Sequence, residues 1–346
     1  MKETIKFKLM LNLFTFAGTE TGTENIQTSA DANIAAEFKT YYDKRLIRKA
    51  GPNLVFAQFA VKRPLPQGSG KTIEFRGFHD LDTKVGTRKL TEGVTPAAQK
   101  MKAYTIEATV EQYGGYVGIT DMVKTTSIDP MVTETIDALS SQAEIVLDKL
   151  IRNAIVGNDE VNEAYAKSAT AESALTTAGH CITVDDIRRI VNILKRANAP
   201  KIDGAYPLVL HPDVSTDLQA DQEYKDLYHY LKPANLAAGY VGDVAGARIY
   251  ESTNVLITKN STSGAAIYHN VLIGQNSYGT VELSGGGLRT IIKQVGSAGS
   301  SDPLEQRGSI GWKATTVTKV LIPKYLVNFS CCSKFNGVDD AETETI

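Results

Sequence analysis

Residues 67–75 read QGSGKTIEF, and a lysine after glycine with a hydroxyl residue behind it is the business end of a phosphate-binding loop. That chemistry needs G-x-x-x-x-G-K-[ST] between a strand and a helix, because the glycine backbone cradles phosphate and the helix N-terminus supplies the favourable dipole. Counting back from Gly70, the first glycine should stand at position 65, which is Leu65. Pro64 and Pro66 occupy the place where a buried strand should end, and residues after Thr72 alternate as a strand. The stretch is therefore read as a flexible turn into a strand, with Lys71 a solvated cation.

Other chemistry-bearing residues do not converge. His79, His180, His211, His229 and His269 are scattered, with no H-E-x-x-H and no Cys/His cluster of metal-ligand spacing. His211 opens an HPD stretch after a strand, where a cap or turn role outweighs acid/base work for want of a partner motif. Cys181, Cys331 and Cys332 include no C-x-x-C pair, and reduced thiols are expected. Adjacent Cys331 and Cys332 should point to opposite faces of a strand, one packed and one exposed. There is no G-x-S-x-G elbow. Residues 284–290 (SGGGLRT) lack nucleotide-loop spacing, and the Asn260-Ser261-Thr262 glycosylation pattern matters only in a secreted eukaryotic chain. No catalytic residue, metal set or cofactor is assigned.

The bulk composition fits this. The chain has 346 residues, enough for two domains or one with large extensions, and 42% hydrophobic with 22% charged residues is an ordinary globular balance. Lys plus Arg (37) nearly equals Asp plus Glu (39), for a net charge of −2, so no basic excess marks a sequence-reading DNA-binding module. No apolar run reaches the length of a membrane span. The opening MKETIKFKLMLNLFTFAG imitates a signal peptide, but Asn12 and Thr15 interrupt it, and an adhesive arm is the better reading.

Elements follow from periodicity. Ala35, Phe38, Tyr42 and Leu46 predict a helix over residues 29–50, stopped by Gly51-Pro52. KTIEFRGF and YTIEATVEQY alternate as the two legs of an antiparallel hairpin over residues 71–113. Between the legs lie 25 residues, 79–103, longer than compact domains tolerate without a function or outside support. Asp80, Asp82, Lys84, Arg88 and Lys89 make that tip a solvated, mixed-charge loop. Asp129-Pro130 opens a long helix over residues 129–156, striped by Val132, Ile136, Leu139, Ala143, Val146 and Leu150. A second helix starts at Thr183, with Asp186 completing a capping box, and stops near Pro200. Short strands and turns follow, then long β patterns over residues 310–335, and an acidic tail expected to fray.

An adhesive arm, a hairpin tip without its own core, and a rod-like helix are liabilities in a monomer and assets in an assembly. Here the chain resembles the major capsid proteins of tailed bacteriophages, specifically the short-tailed phage group with the Johnson fold. The matching stretches are LNLFTFAG, KRPLPQGSGKTIEFRGF, LTEGVTPAAQKM, TVEQYGGYVGITD, LVLHPDV, VLIGQNSYGTVEL and DPLEQRGSIGWK, in order along most of the chain. The departure is the N-terminal extension before Leu11.

The resemblance implies an α+β capsid fold and five segments. These are an N-terminal arm with helix (1–63), an extended hairpin loop and its base (64–118), and a peripheral domain with spine helix (119–178). An axial domain (179–300) and returning peripheral strands with the tail (301–346) complete it. It implies self-assembly into pentamers and hexamers of an icosahedral shell around double-stranded DNA, contacted non-specifically, with scaffolding, portal or decoration proteins as further partners. The place would be the virion, assembled in the host bacterial cytoplasm. Inter-subunit contacts are expected from the hairpin tip, at Lys84, Arg88, Lys89, Glu92, Pro96 and Lys100. The alternatives are a nanocompartment shell of the same fold and an enzyme of unrecognised type.

Overall fold

The structure is a computed structural model and describes residues 55–66, 68, 70–79, 81, 83, 89–90, 92–95, 98–126, 131–177, 179–229, 242–283, 287–295, 304 and 306–342. The helix expected over 29–50 and the arm before it lie outside them. After a 3₁₀ turn at Phe56–Gln58 come β1 (Val61–Leu65), β2 (Thr72–Phe78), β3 (Ala103–Thr109), β4 (Glu111–Thr120), the short helix α1 (Asp121–Thr126) and the long helix α2 (Met131–Val156). Then follow β5 (Asn162–Tyr165), α3 (Val184–Arg196), β6 (Tyr206–Leu210), α4 (Pro212–Ala220) and α5 (Gln222–His229). The remainder is β7 (Asp243–Val244), β8 (Ala247–Glu251), β9 (Leu256–Lys259), β10 (Ala266–Ile273), β11 (Tyr278–Leu283), β12 (Arg289–Lys293), β13 (Arg307–Val320) and β14 (Leu326–Cys331).

These strands form two large sheets and one hairpin. The first sheet runs β1-β11-β13-β12, with β4 also on β13; the second runs β5-β14-β10-β6-β8-β7, with β9 on β10. α2 ties them together. Its 26 residues span about 39 Å at 1.5 Å each, enough to reach both. Leu139 and Ala143, in its first half, pack with Ile119, Ile310, Trp312 and Ala314 of the first sheet. Trp312 adds a hydrogen bond from Nε1 to Gln142 Oε1 at 3.1 Å. Ile151 and Ile155, a stripe further on, pack with Val209, Val271 and Ile273 of the second sheet. Of the predicted stripe, Leu139 and Ala143 are buried and Val132, Ile136 and Val146 are half-buried against the first sheet. The contact with the second sheet is made by Ile151 and Ile155, which lie outside that stripe.

The other face of the second sheet carries α3 and α4, whose Ile187, Ile190, Leu194, Val214 and Leu218 cover Leu208, Tyr268, Leu272 and Phe329. α3 begins as its sequence dictates. Thr183 Oγ1 accepts from Asp186 N, and Asp186 Oδ2 accepts from Thr183 N at 3.2 Å, the reciprocal capping box.

Two expectations need correction. Cys332 is buried like Cys331, because Leu175, Ala265 and Ile267 form a satellite core over it. The acidic tail is pinned as far as Glu342. Glu342 N donates to Ile257 O at 3.0 Å, and its carboxylate takes Arg152 Nη2 at 2.6 Å and Lys149 Nζ at 2.9 Å.

Candidate assembly surface

β2 and β3 pair antiparallel, Thr72 opposite Thr109 through Phe78 opposite Ala103. The period of two puts Ile73 and Phe75 on the same side as Ile106 and Ala108, as the alternation predicts. That side roots the hairpin: Phe75 and Ala108 are buried with Leu65, Val110 and Val281. Gly279 permits the approach, since a Cβ there would meet the Phe75 ring at 3.3 Å. Arg63 lies over the Phe75 ring, its guanidinium carbon 5.7 Å from the centroid.

The hairpin is shorter at its base than its alternation implies. Pairing with β2 ends at Thr109, Val110 N donates to Lys71 O at 2.9 Å, and β4 departs to pair with β13 from Glu111 onward. Alternation continues unbroken through Val110, so the switch of partner leaves no mark in the periodicity.

Among the described residues between Phe78 and Ala103, none is buried. His79 N donates to Lys102 O at 2.8 Å as the last rung. Phe78 is 64% exposed, and Leu81, Leu90, Val94 and Met101 are exposed with it. Of the six residues expected to make contacts here, Lys89, Glu92 and Lys100 are exposed at the tip, while Lys84, Arg88 and Pro96 lie outside the described residues. The residues expected from the sequence were mostly charged, and the exposed apolar ones were not among them. The signal was present as large apolar side chains at irregular spacing in a polar loop, a pattern no single strand or helix can bury.

A second exposed apolar surface lies on the first sheet. Tyr116 is 79% exposed, and Val117, Met122, Val123, Leu288, Ile291 and Ile292 are exposed nearby in β4, α1 and β12. β12 and β4 flank β13 on either side, bringing Ile291 opposite Gly311 and Tyr116 opposite the same glycine. A Cβ on Gly311 would meet Gly115 O and Tyr116 Cβ at 2.9 Å, so glycine there lets β4 lie close against β13. The register places Tyr116 and Ile291 on one face of the sheet with Gly311 between them, and Val117 and Ile292 on the other face beside buried Ile310. The exposed pair on the first face is therefore the candidate interaction surface.

The candidate chemical residues fall apart. Lys71 is exposed and Thr72 opens β2, so a strand stands where a phosphate loop needs a helix. His211 is the N-cap of α4: its Nδ1 accepts from Asp213 N at 3.2 Å, and burial lowers its pKa, partly offset by the Asp213 and Asp340 carboxylates. Asn260 is buried, its amide nitrogen donating to Glu172 O and Leu175 O, both at 3.1 Å.

Comparisons with known proteins place the chain among capsid proteins. Residues 103–328 match the family model described as "Phage capsid protein". No curated protein sequence matches the chain. Among solved structures, the capsid of cyanophage P-SCSP1u is similar at TM-score 0.66 and 14% identity, over 90% of this chain and 98% of that one. The capsid of Ralstonia phage GP4 is similar at TM-score 0.66 and 12% identity, over 94% and 100%. The acid-stable capsid of Helicobacter pylori bacteriophage KHP30 is similar at TM-score 0.66 and 12% identity, over 89% and 100%.

Proposed function

This chain belongs to the phage capsid protein family and is a major capsid protein with the tailed-phage capsid fold, and from that premise we propose how its copies close a shell. The β2–β3 hairpin of one copy lies over the first sheet of its neighbour, and Phe78, Leu81, Leu90, Val94 and Met101 make the contact. Tyr116 and Ile291 receive it, with Lys89, Glu92 and Lys100 at the rim together with Lys84, Arg88 and Pro96. The observation that carries this is the exposed apolar tip on a root that is itself well packed.

In this reading α2 is the spine of a peripheral domain over residues 119–178, completed by 301–346, and residues 179–300 form an axial domain around five-fold and six-fold axes. The shell is icosahedral, built in the bacterial cytoplasm with scaffolding, portal or decoration proteins. It holds double-stranded DNA without reading its sequence, consistent with a net charge of −2. It performs no catalysis. The family match favours a phage shell over a nanocompartment.

The test is to replace residues 80–101 by Asn-Gly, leaving the His79–Lys102 rung to close a two-residue turn. Shortening a loop adds no closure entropy, so the chain should stay folded by circular dichroism. What disappears is a large part of an interface, which for stable complexes buries roughly 1,200–2,000 Å² in total. Sedimentation should show small oligomers in place of shells. Closed shells of normal size and heat resistance from this variant would refute the assignment.

A further inference from the structure

The second sheet contains an unexplained polar interval. Period-two placement puts Glu163 and Tyr165 of β5, Asn328 and Ser330 of β14, His269 of β10 and Thr258 of β9 on one face. The same face is apolar on both sides of this group, with Val209, Val271 and Ile273 under α2 on one side and Ile267 and Cys332 on the other. Between them lies a cleft of about 490 Å³, with Glu172 at its margin and Val156, the last residue of α2, on its wall.

The hydrogen-bond accounting in this cleft is one-sided. Thr258 Oγ1 donates to Glu172 Oε1 at 3.2 Å and so accepts from His269 Nε2 at 2.9 Å. That leaves His269 Nδ1 to accept from Ser330 Oγ at 3.2 Å. Tyr165 spends its hydroxyl proton on Glu163. Every donor in this relay is consumed within it. What the relay itself leaves is acceptor capacity: free lone pairs on the Glu163 and Glu172 carboxylates, and the amide oxygen of Asn328. The other donors lining the cleft include the Asn328 amide N–H groups and the exposed Ser173, Ser261 and Lys259. Asn328 is 6% exposed, lines the cleft, and its Oδ1 has no partner among the described residues. A buried unpaired acceptor is costly, and folded proteins leave few of them.

The occupant that completes such a set brings N–H donors and positive charge. We propose that this cleft binds an alkylammonium group, either from a free aliphatic polyamine or from a lysine side chain of a neighbouring copy, the second source resting on the shell reading above. Among the described residues lining the cleft, two carboxylates outweigh one cation, Lys259, which is exposed. Arg152, whose charge also reaches His269, is paired with Glu342. His269 adds no repulsion, since burial lowers its pKa to about 4 and keeps it neutral at pH 7. A primary ammonium is small, carries three donors and fits mixed carboxylate and amide oxygens, whereas a quaternary ammonium has the charge without the donors.

The test is calorimetric titration of the full-length chain with 1,4-diaminobutane at fixed ionic strength, as unassembled protein and as shells. Its fully methylated analogue is the control. The proposal expects the diamine to bind unassembled chain and the methylated analogue to bind at least tenfold more weakly, the scale of a lost charge-assisted hydrogen bond. Glu172→Gln, a substitution at the half-exposed margin, should weaken binding about tenfold, and Lys259→Gln should tighten it. Asn328→Leu should weaken binding while Asn328→Asp should not. Binding to shells as well identifies a free polyamine as the occupant. Binding to unassembled chain alone identifies a neighbour's lysine already seated in the shell. The proposal is overturned if the diamine does not bind unassembled chain, if the methylated analogue binds equally, or if Glu172→Gln leaves affinity unchanged. None of these outcomes depends on whether shells form through the hairpin.

Discussion

Arg152 is fully buried, and its guanidinium is satisfied by Asn254 O at 2.8 Å, Asn153 Oδ1 at 2.7 Å and both carboxylate oxygens of Glu342. Burial alone would push the Glu342 pKa up, but its hydrogen bonds to Arg152 and Lys149 outweigh that and bring it down to about 2. Glu342→Gln would leave a buried cation short of its counter-charge and should cost about 2–3 kcal/mol of unfolding free energy in urea titration of unassembled protein. The pH dependence has a fixed sign. Glu342 has its folded pKa below its ordinary 4.5, so its contribution is complete above that value and is lost as pH falls towards 2. His269 is held below its ordinary 6.5, so protonation favours the unfolded chain, and stability falls as pH drops from about 6.5 towards 4. Wild type should therefore lose stability in two steps on acidification. In Glu342→Gln the lower step should shrink and the upper one should persist; equal losses in both variants at every pH would refute the assignment.

At the scale of elements, α2 carries the most consequence per residue, because its two halves hold two sheets. Leu139 is buried against Trp312 and Ala314. Leu139→Asp would put an unpaired carboxylate there and should cost well over ~4 kcal/mol, abolishing soluble folded protein; normal yield and melting behaviour would mean the buried face is wrongly assigned. This helix, the Thr183 capping box and the β2–β3 alternation were all legible in sequence, since each is written in contacts a few residues apart. The sheet order was not. β14 pairs with β5 across more than 160 residues and β1 pairs with β11 across more than 210, and nothing in a local pattern records such partners. The pinned tail was hidden for the same reason: an acidic segment reads as solvated until Arg152 is known to be buried beneath Glu342. The 25-residue length of the tip was legible, but the exposure of Leu81, Leu90, Val94 and Met101 was not, because charge dominates that loop's composition.

For the whole molecule, the separation between folding and assembly comes down to two phenylalanines three residues apart. Phe75 and Phe78 lie on opposite faces of β2, and only the first is buried, at 6% exposure against 64%. Phe75 fills the root of the hairpin with Leu65, Ala108 and Val281, so Phe75→Ala should cost about 3–5 kcal/mol and lower the melting temperature of unassembled chain. Phe78 touches no such core, and Phe78→Ala should change that stability by less than about 0.5 kcal/mol. In a shell the ranking reverses. A contact made once per subunit is repeated over every copy, so a small loss at each tip accumulates across a closed assembly. Phe78→Ala should raise the protein concentration needed for shells, and Phe78→Glu should prevent them, with each chain still folded. Tyr116→Glu, on the receiving sheet, should give the same phenotype from the other side. Mixing Phe78→Glu with Tyr116→Glu chains should not restore uniform shells, because each copy must both give and receive a tip. If Phe78→Glu assembles at the wild-type concentration, the exposed face of β2 is not buried between subunits, and the tip must be ordered by some other contact.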